Sequence, residues 1–451
     1  MCVVQCYWRV DGSVDVFERI AVSVVNTVDF RTGYVRRVID DQLDALLTEI
    51  GALLIDGPKA VGKTSTALQR AATVRRLDRR AERELAAADP VQALAGPHPV
   101  LLDEWQRVPD IWDEVKTAVD DHPIGGRYLL TGSAPTGATH SGAGRIPALR
   151  MRPLTLPERG VAAPSVSLTT LLEGGRPGVA GSCPLGLGDY TDLIVASGFP
   201  GLQHLSVRAT RTQLDGYLAR IVEVDMEEAG HKVKRPATLQ AWMRAYAAAT
   251  ATTTSWEKIR DAAGPGSDTR PARSTTVPYF EALTRLRVLD DIPAWIPSLN
   301  HLNRVGQAPK HHLVDPALAA RLLGLGSADL LRGEGPERVV ADGTFLGALF
   351  ESLATMSVRV FASAALAAVS HLRLQDGRHE VDLIVERDDH KYVGFEVKLS
   401  GTVDDRDTAH LRWLRQEDEP HMLDAVVLTT GTHAYRRADG IAVVPLGLLG
   451  A

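Results

Sequence analysis

The sequence has very little cysteine, and this scarcity excludes two classes of protein. Only Cys2, Cys6 and Cys183 occur among 451 residues. Three thiols spaced in this way are too few and too scattered for a disulfide framework or a closed zinc site. The scarcity favours a reducing compartment, and the cytoplasm is the expected location.

An excess of positive charge and a long apolar run are also missing. The formal net charge is −6, so any contact with DNA would need a local basic patch. Asp11, Asp15 and Glu18 interrupt the apolar N-terminal residues, and we find no other apolar run of spanning length. We therefore expect neither a signal peptide nor a membrane partner.

What the sequence does contain is an alternation of short apolar segments and helical stretches after residue 33. With 45% hydrophobic and 24% charged residues, the composition is that of a globular protein, and 451 residues exceed one typical core. The alternation predicts an α/β fold with a parallel sheet. The predicted strands are "ALLID", "VRRLD", "PVLLDE" and "RYLLTGS", followed by "LRMRPLTLPE", which leaves the sheet.

The first chemical motif is "GPKAVGKT", Gly57 to Thr64, which matches G-x-x-x-x-G-K-[ST] between a predicted strand and a predicted helix. Glycines let backbone N–H groups surround phosphate oxygens, and the helix N-terminus adds its positive dipole end. Lys63 would reach the β- and γ-phosphates of ATP, and the Thr64 hydroxyl would ligate Mg²⁺. The predicted nucleotide-binding residues are Gly57, Pro58, Lys59, Ala60, Val61, Gly62, Lys63, Thr64, Ser65, Asp103 and Ser133.

A second motif supports hydrolysis of the bound nucleotide. "PVLLDE" is an apolar strand that ends in two carboxylates. Asp103 would hold the Mg²⁺ shell and Glu104 would polarise the attacking water, although both could instead cap the next helix. Thr131 or Ser133 in "LLTGS" would sense the γ-phosphate, with an ordinary strand-end turn as the alternative.

Phosphoryl transfer also gains from a cation near the developing charge. Arg145 is the candidate finger, and it would imply a homo-oligomer if it acts on a neighbouring subunit. Arg150 and Arg152 are competitors, and solvated surface is the alternative for all three.

Together these segments resemble a group of prokaryotic AAA-type ATPases. The segment "DEWQRVP" and the strand "LLTGS" recur in that family in this order, and "KHHLVDPALAARLLG", "GALFESLA", "HEVDLIVE" and "GFEVKLS" are similar to the blocks of its C-terminal domain of unknown function. The resemblance implies an ATPase domain over 34–160, a linker with a helical, winged-helix-like region over 161–330, and a further α/β domain over 331–451. Residues 1–33 fall outside it as a tail of uncertain structure, and 260–275 are longer and more polar than the family pattern.

The middle region reads as helix, turn, helix and apolar strand, the order of a winged helix. Arginines near the second helix would meet DNA phosphates, and a solvated basic face is the alternative. These arginines are Arg270, Arg273, Arg285 and Arg287.

Near the C-terminus, "HEVDLIVE" and "YVGFEVKLS" flank a short polar loop and predict a β-hairpin. If Glu386 pairs with Tyr392, Asp382 lies opposite Glu396, with Lys398 on the same face. Facing carboxylates repel unless a cation lies between them, so Mg²⁺ could bind there and Lys398 could stabilise the charge of a reacting water. A plain exposed hairpin face, with Lys398 neutralising Glu380, is the alternative.

This hairpin resembles the core of PD-(D/E)XK nucleases, a restriction-endonuclease-like fold. Glu351 in "GALFESLA" matches the additional helical glutamate of that superfamily, whereas Val381 departs from its proline. With this resemblance, the predicted catalytic residues are Lys63, Glu104, Arg145, Asp382, Glu396 and Lys398. The predicted metal ligands are Thr64, Asp103, Glu351, Asp382 and Glu396.

The sequence therefore predicts an Mg²⁺-dependent ATPase that is coupled to DNA binding and, through its C-terminal domain, to cleavage. The alternative from a different class is a nucleotide-switched scaffold or signalling protein whose nuclease-like domain binds without turnover. A nucleotide-dependent chaperone is a third option.

Overall fold

The computed structural model describes residues 33–132, 144–264, 270–295, 308–332, 343–374 and 378–451. Residues 1–32 of the predicted tail lie outside these ranges, as does Ser133, one of the two predicted γ-phosphate sensors.

Five parallel strands form the first sheet, in the order β2-β3-β4-β1-β5. All five residues of β1 are buried, as expected for the interior of a parallel sheet covered by helices. The predicted strands are confirmed, but the last one does not leave the sheet, because Leu54 of β1 pairs with Ala148 of β5. The elements are α1 (Val38–Leu47), β1 (Ala52–Asp56), α2 (Lys63–Leu68), β2 (Thr73–Arg76), α3 (Arg80–Ala88), α4 (Pro90–Ala93), β3 (Val100–Asp103), α5 (Asp110–Asp121), β4 (Tyr128–Gly132) and β5 (Ala148–Arg150), with a 3₁₀ turn at Trp105–Arg107.

The middle of the chain is helical. Three of its helices, α10, α11 and α12, are followed by a short antiparallel ladder in which Leu289 faces Leu313 and Ile292 faces Lys310. This is the order of elements that the winged-helix prediction requires. The helices are α7 (Leu187–Ala196), α8 (Val207–Arg220), α9 (Met226–Glu228), α10 (Pro236–Ala248), α11 (Trp256–Ala262), α12 (Arg273–Arg285), α13 (Pro316–Leu322) and α14 (Ser327–Arg332), with a 3₁₀ turn at Pro200–Leu202 and a π-helical turn at Ile221–Asp225 that joins α8 to α9.

The C-terminal part contains an eight-stranded mixed sheet in the order β7-β13-β14-β12-β11-β10-β9-β8. Its central strands β11 and β12 run parallel, and β10 and β11 form the predicted antiparallel hairpin. The elements are β8 (Ala294–Trp295), α15 (Gly343–Ala364), β9 (Ala368–Arg373), β10 (Glu380–Glu386), β11 (Tyr392–Lys398), α16 (Ala409–Glu417), β12 (Met422–Thr429), β13 (His433–Arg436), β14 (Ala442–Pro445), a 3₁₀ turn at Leu446–Leu448 and β15 (Leu449–Gly450).

The segment predicted as a linker after residue 160 is part of the C-terminal fold. It contains β6 (Val166–Ser167), α6 (Leu168–Glu173) and β7 (Gly181–Ser182). Strand β6 pairs with β15, and β7 pairs with β13. Its Gly, Pro and Ser content suggested a linker, but its leucines Leu168, Leu171 and Leu172 are buried in the core.

The long helix α15 corrects another expectation. Its stretch Phe345–Ala364 is the one helix among the described residues that is long and apolar enough to cross a membrane, with a mean hydropathy of 1.4. Two thirds of that stretch is buried inside the fold, where α15 packs against α1, α7 and α13. A helix buried in this way has the composition of a core helix.

Candidate functional site

The phosphate-binding loop lies at the carboxyl end of β1 and leads into α2. Gly57 cannot be replaced without a shift of the backbone, because a Cβ there would lie 2.4 Å from the carbonyl oxygen of Met151. Gly62, just before Lys63, has a φ of 102°, a conformation that side chains other than that of glycine rarely adopt. The two glycines of the motif are therefore set by the geometry of the loop.

Lys63 is buried inside this loop. Its Nζ donates hydrogen bonds to the carbonyl oxygens of Gly57, at 2.9 Å, and Pro58, at 2.8 Å. Burial lowers the pKa of Lys63 to about 8, against the opposing charges of Glu104 and Asp56. The ammonium group thus has carbonyl partners and lacks a close anionic one, which an added phosphate would supply.

Asp103, the last residue of β3, is contacted by side chains from α2 and β4. Its Oδ1 accepts hydrogen bonds from the Thr64 hydroxyl, at 2.7 Å, and from the Thr131 hydroxyl, at 2.5 Å. These contacts form because β3 lies next to β4 and β4 lies next to β1. The carboxylate and the Thr64 hydroxyl, both predicted Mg²⁺ ligands, are therefore adjacent, with hard oxygen donors of the kind that Mg²⁺ requires. Thr131, predicted as a sensor, touches Asp103.

Glu104 is the next residue after Asp103, and its backbone adopts the left-handed conformation, with a φ of 59°. Its Oε2 accepts a hydrogen bond from the Gln106 amide at 2.6 Å. The alternative that Glu104 caps the next helix is wrong, since its side chain makes no capping hydrogen bond to the 3₁₀ turn that follows. The strained backbone and the Gln106 contact hold the carboxylate beside the phosphate loop.

An open cavity of about 590 Å³ lies over this loop. Besides Lys63, Thr64, Asp103 and Glu104, it is lined by residues that the sequence did not single out. These additional residues include Arg76, Arg107 and Arg220. No local motif marks Arg220, which comes from the end of α8.

Lys59, predicted to bind nucleotide, makes ion pairs in the structure. Its Nζ lies 2.6 Å from carboxylate oxygens of both Asp225 and Glu228, which belong to the π-helical turn and to α9. Arg107 also contacts Glu228, at 3.0 Å, and Arg220 lies 3.5 Å from Asp225. Ion pairs therefore connect the phosphate loop and the turn after β3 to the α8–α9 segment.

The three candidate arginine fingers have different surroundings. Arg145 lies 2.8 Å from Asp120, near the C-terminal end of α5, and is half-exposed. The alternative of solvated surface is wrong for Arg150 and Arg152, which lie 3.6 and 2.7 Å from oxygens of the buried Asp290. Arg145 remains a predicted finger, and the other two have structural contacts.

Asp290 joins the three regions of the molecule. Arg150 and Arg152 reach it from the first sheet, and Arg359 reaches it from α15, at 3.4 Å. Burial alone would raise the pKa of Asp290, but these three guanidinium groups outweigh it and lower the pKa below the usual range. Asp290 also shares a hydrogen bond with the ladder, because its N–H donates to the carbonyl oxygen of His312.

In the C-terminal sheet, the predicted hairpin register is confirmed, because Glu386 pairs with Tyr392 and Leu383 with Phe395. Asp382 and Glu396 are both buried, so the alternative of a plain exposed face is wrong. Asp382 Oδ2 accepts a hydrogen bond from the Val397 N–H at 2.9 Å, and Lys398 Nζ lies 3.0 Å from Glu396 Oε2.

The cation between the carboxylates is one that the sequence prediction missed. Lys310, only 1% exposed, places its Nζ 2.7 Å from Glu351 Oε1, 3.1 Å from Asp382 Oδ1 and 3.3 Å from Glu380 Oε1. Within the described ranges, no group of three or more His, Cys, Asp or Glu residues is arranged to hold a metal ion. The predicted metal ligands Glu351, Asp382 and Glu396 are thus brought into one neighbourhood, with an ammonium group among them.

Lys310 also corrects the predicted neutralisation of Glu380 by Lys398. Glu380 pairs with Lys310 and, at 3.4 Å, with Arg373. Burial opposes the charge of Lys310, but Asp382, Glu351 and Glu380 outweigh it and raise its pKa. Lys310 opens the block "KHHLVDPALAARLLG", but the sequence assigned it no role, because it lies far from the hairpin in the chain.

The predicted DNA-contacting arginines separate into two pairs. Arg270 and Arg287 contact carboxylates, of Asp261 at 2.6 Å and of Asp56 at 2.8 Å. Arg273 and Arg285 lie on the exposed face of α12, which also carries Glu281. The basic face is therefore smaller than the sequence suggested.

Comparison with protein families divides the chain into three matches. Residues 50–159 match the family described as AAA domain. Residues 187–329 and 346–449 match two families described as Domain of unknown function (DUF8612 and DUF4143). The first match agrees with the parallel sheet and the loop between β1 and α2 in that region.

Among individual proteins, the chain is similar to uncharacterized proteins from Mycobacterium bovis and Mycobacterium tuberculosis. Each is 25% identical over 420 residues, which cover 91% of this chain and 83% of the relative. A solved structure, the Walker-type ATPase PABY2304 of Pyrococcus abyssi, matches 63% of this chain and 94% of its own, with 15% identity and a TM-score of 0.38.

Proposed function

We propose that this protein binds ATP with Mg²⁺ at the loop Gly57–Thr64 and hydrolyses it. The observation that carries the proposal is the Asp103 carboxylate, which accepts hydrogen bonds from Thr64 and Thr131 beside the buried Lys63. The match of residues 50–159 to the AAA domain supports it.

Each residue of the loop then has a defined task. Bound ATP–Mg²⁺ supplies the phosphoryl group and the metal charge that stabilises the leaving oxygens. Thr64 and Asp103 hold the metal, directly or through water. Lys63 exchanges its two carbonyl partners for phosphate oxygens, and Gly57 and Gly62 allow the backbone N–H groups to face the phosphates.

Glu104 orients and polarises the attacking water. Its carboxylate lies on the rim of the same cavity, and the Gln106 amide fixes its orientation at 2.6 Å. A base held in this way needs no large movement to reach a water molecule beside the phosphates.

The test compares ATP binding and turnover in the wild type, Lys63→Ala and Glu104→Gln. Lys63→Ala should lose nucleotide binding. Glu104→Gln should keep binding and lose about 10²- to 10⁴-fold in turnover. The exposed Glu84 on α3 provides the matched control, and Glu84→Gln should match the wild type. Absent turnover in the wild type, with binding unaffected by Lys63→Ala, would disprove the proposal.

We further propose that α12 holds DNA and that the nucleotide state changes this binding. The support is the arrangement of α10–α12 with the following ladder, together with the exposed Arg273 and Arg285. Arg273→Ala/Arg285→Ala should weaken DNA binding with little dependence on sequence. Arg270→Ala is the control, because Arg270 is paired with Asp261. Equal affinities of the two variants would refute this role.

For the C-terminal domain, the structure favours the non-cleaving alternative over the predicted nuclease activity. The favouring observation is Lys310, whose ammonium group contacts Asp382 and Glu351. A cleavage assay with Mg²⁺ on the wild type and Asp382→Ala separates the two options. Cleavage that depends on Asp382 would support the nuclease.

A further inference from the structure

The acidic cluster of the C-terminal sheet contains more negative charge than a hairpin face needs. Four carboxylates meet there, from α15, β10 and β11: Glu351, Glu380, Asp382 and Glu396. Burying such a group without a cation is costly, because each desolvated carboxylate raises the energy of its neighbours. The cluster therefore requires a cation for the domain to fold.

Lys310 supplies that cation from outside the sheet. It lies on the ladder that follows α12, where Lys310 N–H and the carbonyl of Ile292 are hydrogen-bonded at 3.0 Å. Its Nζ has three carboxylate oxygens within 3.3 Å. Two of its three N–H donors form hydrogen bonds, to Glu351 and Asp382, and Glu380 adds an ion pair.

A second feature of the cluster is a carboxylate oxygen that neither lysine contacts. Glu396 Oε1 is buried and has no hydrogen-bond partner, although Lys398 contacts the other oxygen. Glu396 is only 2% exposed, so neither a cation nor bulk water reaches this oxygen.

We propose that Lys310 is a built-in cation that takes the place of a divalent metal ion in this cluster. The wild-type protein then takes up no metal at Asp382 and Glu396. The same carboxylates become a site for a hard divalent cation, of the Mg²⁺ or Mn²⁺ class, once the ammonium group is removed. Carboxylate oxygens around a missing charge are the donor set that such ions prefer.

The inference does not rest on the proposed ATPase activity, since no residue of the phosphate loop takes part. It makes the charge balance of the C-terminal sheet depend on a lysine from the preceding region of the chain. It also assigns the ladder residue Lys310 to the stability of a sheet that belongs to another region of the chain.

The test measures thermal unfolding without nucleotide, in the presence and absence of millimolar MnCl₂. Lys310→Ala should lower the melting temperature by on the order of 10 °C, and Mn²⁺ should restore a large part of that loss through ligand binding to the folded state. Mn²⁺ that binds at Asp103 raises the melting temperature of every variant by the same amount. The wild type and the exposed control Lys391→Ala should therefore show only this smaller rise.

A double variant keeps the test decisive. Lys310→Ala/Asp382→Asn removes one uncompensated carboxylate, so it should melt above Lys310→Ala without metal and show only the response of the wild type to Mn²⁺. If Lys310→Ala does not fold, Lys310→Ala/Glu351→Gln replaces it in the same comparison.

Two results would overturn the proposal. One is a Lys310→Ala protein whose melting temperature responds to Mn²⁺ no more than that of the wild type. The other is Mn²⁺ uptake by the wild type, followed by electron paramagnetic resonance, that Asp382→Asn removes.

Discussion

The phosphate loop and the C-terminal acidic cluster both place carboxylates near a buried lysine, yet the charge of the lysine is balanced in only one of them. Lys63 donates to two backbone carbonyl oxygens, and its pKa is lowered to about 8. Lys310 contacts three carboxylates, and its pKa is raised. In the first site the ammonium group of Lys63 has no carboxylate in direct contact, and the loop opens on a cavity. In the second site the ammonium group of Lys310 is already paired with carboxylates. A lysine–carboxylate motif therefore predicts ligand binding only when the lysine is not already neutralised.

The strongest way to break this comparison is to make the same substitution at both lysines. Lys310→Met leaves three carboxylates without their shared ammonium group, so the free energy of unfolding should fall by about 3–5 kcal/mol. Lys63→Met removes hydrogen bonds to carbonyls only and relieves the burial of a charge, so the change should be about 1 kcal/mol or less. Urea unfolding followed by circular dichroism measures both.

Nucleotide binding should show the reverse order. Lys63→Met should abolish it, and folded Lys310→Met should bind ATP as the wild type does. If Lys310→Met and Lys63→Met lowered the free energy of unfolding by similar amounts, the proposed difference between the two lysines would be wrong.

A second prediction concerns the cation that acts on the phosphates in the first site. Arg220 lines the cavity and is 57% exposed, whereas Arg145 contacts Asp120 near the far end of α5. If Arg220 stabilises the phosphates within the same chain, Arg220→Ala should lower ATP turnover about tenfold or more. Arg145→Ala should then turn over ATP at nearly the wild-type rate. If Arg145 acts in trans, the order reverses, and turnover per molecule rises with protein concentration. Steady-state turnover at several protein concentrations distinguishes the two.

The effect expected to be smallest near neutral pH is a dependence of ATP affinity on pH. The pKa of Lys63 is lowered from 10.5 to about 8 by burial, so the free protein loses this charge as the pH rises through about 8. Phosphate favours the charged form, so ATP binding takes up a proton between about pH 8 and 10.5, and affinity should fall by up to about tenfold per pH unit there. Calorimetric titration at pH 7, 8.5 and 9.5 measures the trend.

Lys63→Arg provides the control for this pH dependence. Arginine remains charged throughout this range, so the slope above pH 8 should disappear in that variant. Without ATP, the stability of the wild type should change with pH in the opposite direction to ATP affinity. The unfolded chain binds more protons than the folded one between pH 8 and 10.5, so this group makes the free energy of unfolding rise with pH in that window.

The sequence was informative where function depends on neighbouring residues. The loop Gly57–Thr64, the carboxylates Asp103 and Glu104, and the hairpin pairing of Glu386 with Tyr392 follow from local spacing and strand alternation. These features are set within a few residues, so a pattern is enough to find them, and the parallel sheet of residues 50–159 followed from the same alternation.

What the sequence missed depends on long-range contacts. Lys310 meets Glu351 and Asp382 only because the ladder after α12 packs against the C-terminal sheet. Arg220 reaches the nucleotide cavity only through the packing of α8. No spacing rule encodes such contacts, since the partners are separated by whole elements. The block "KHHLVDPALAARLLG" resembles the family pattern, but nothing in it shows that its lysine meets carboxylates of a distant hairpin.

The pairing of β6 with β15, described above, has a practical consequence for anyone who wishes to divide this protein. A cut near residue 330, where the family resemblance implies a boundary, would leave β6, α6 and β7 on one fragment and their partner strands β13 and β15 on the other. Each fragment would expose unpaired strand edges, and the N-terminal fragment would also expose the apolar side chains of α6, which favours aggregation. Dissection is better done by changing single residues in the intact chain, or by co-expressing both fragments so that they can assemble together.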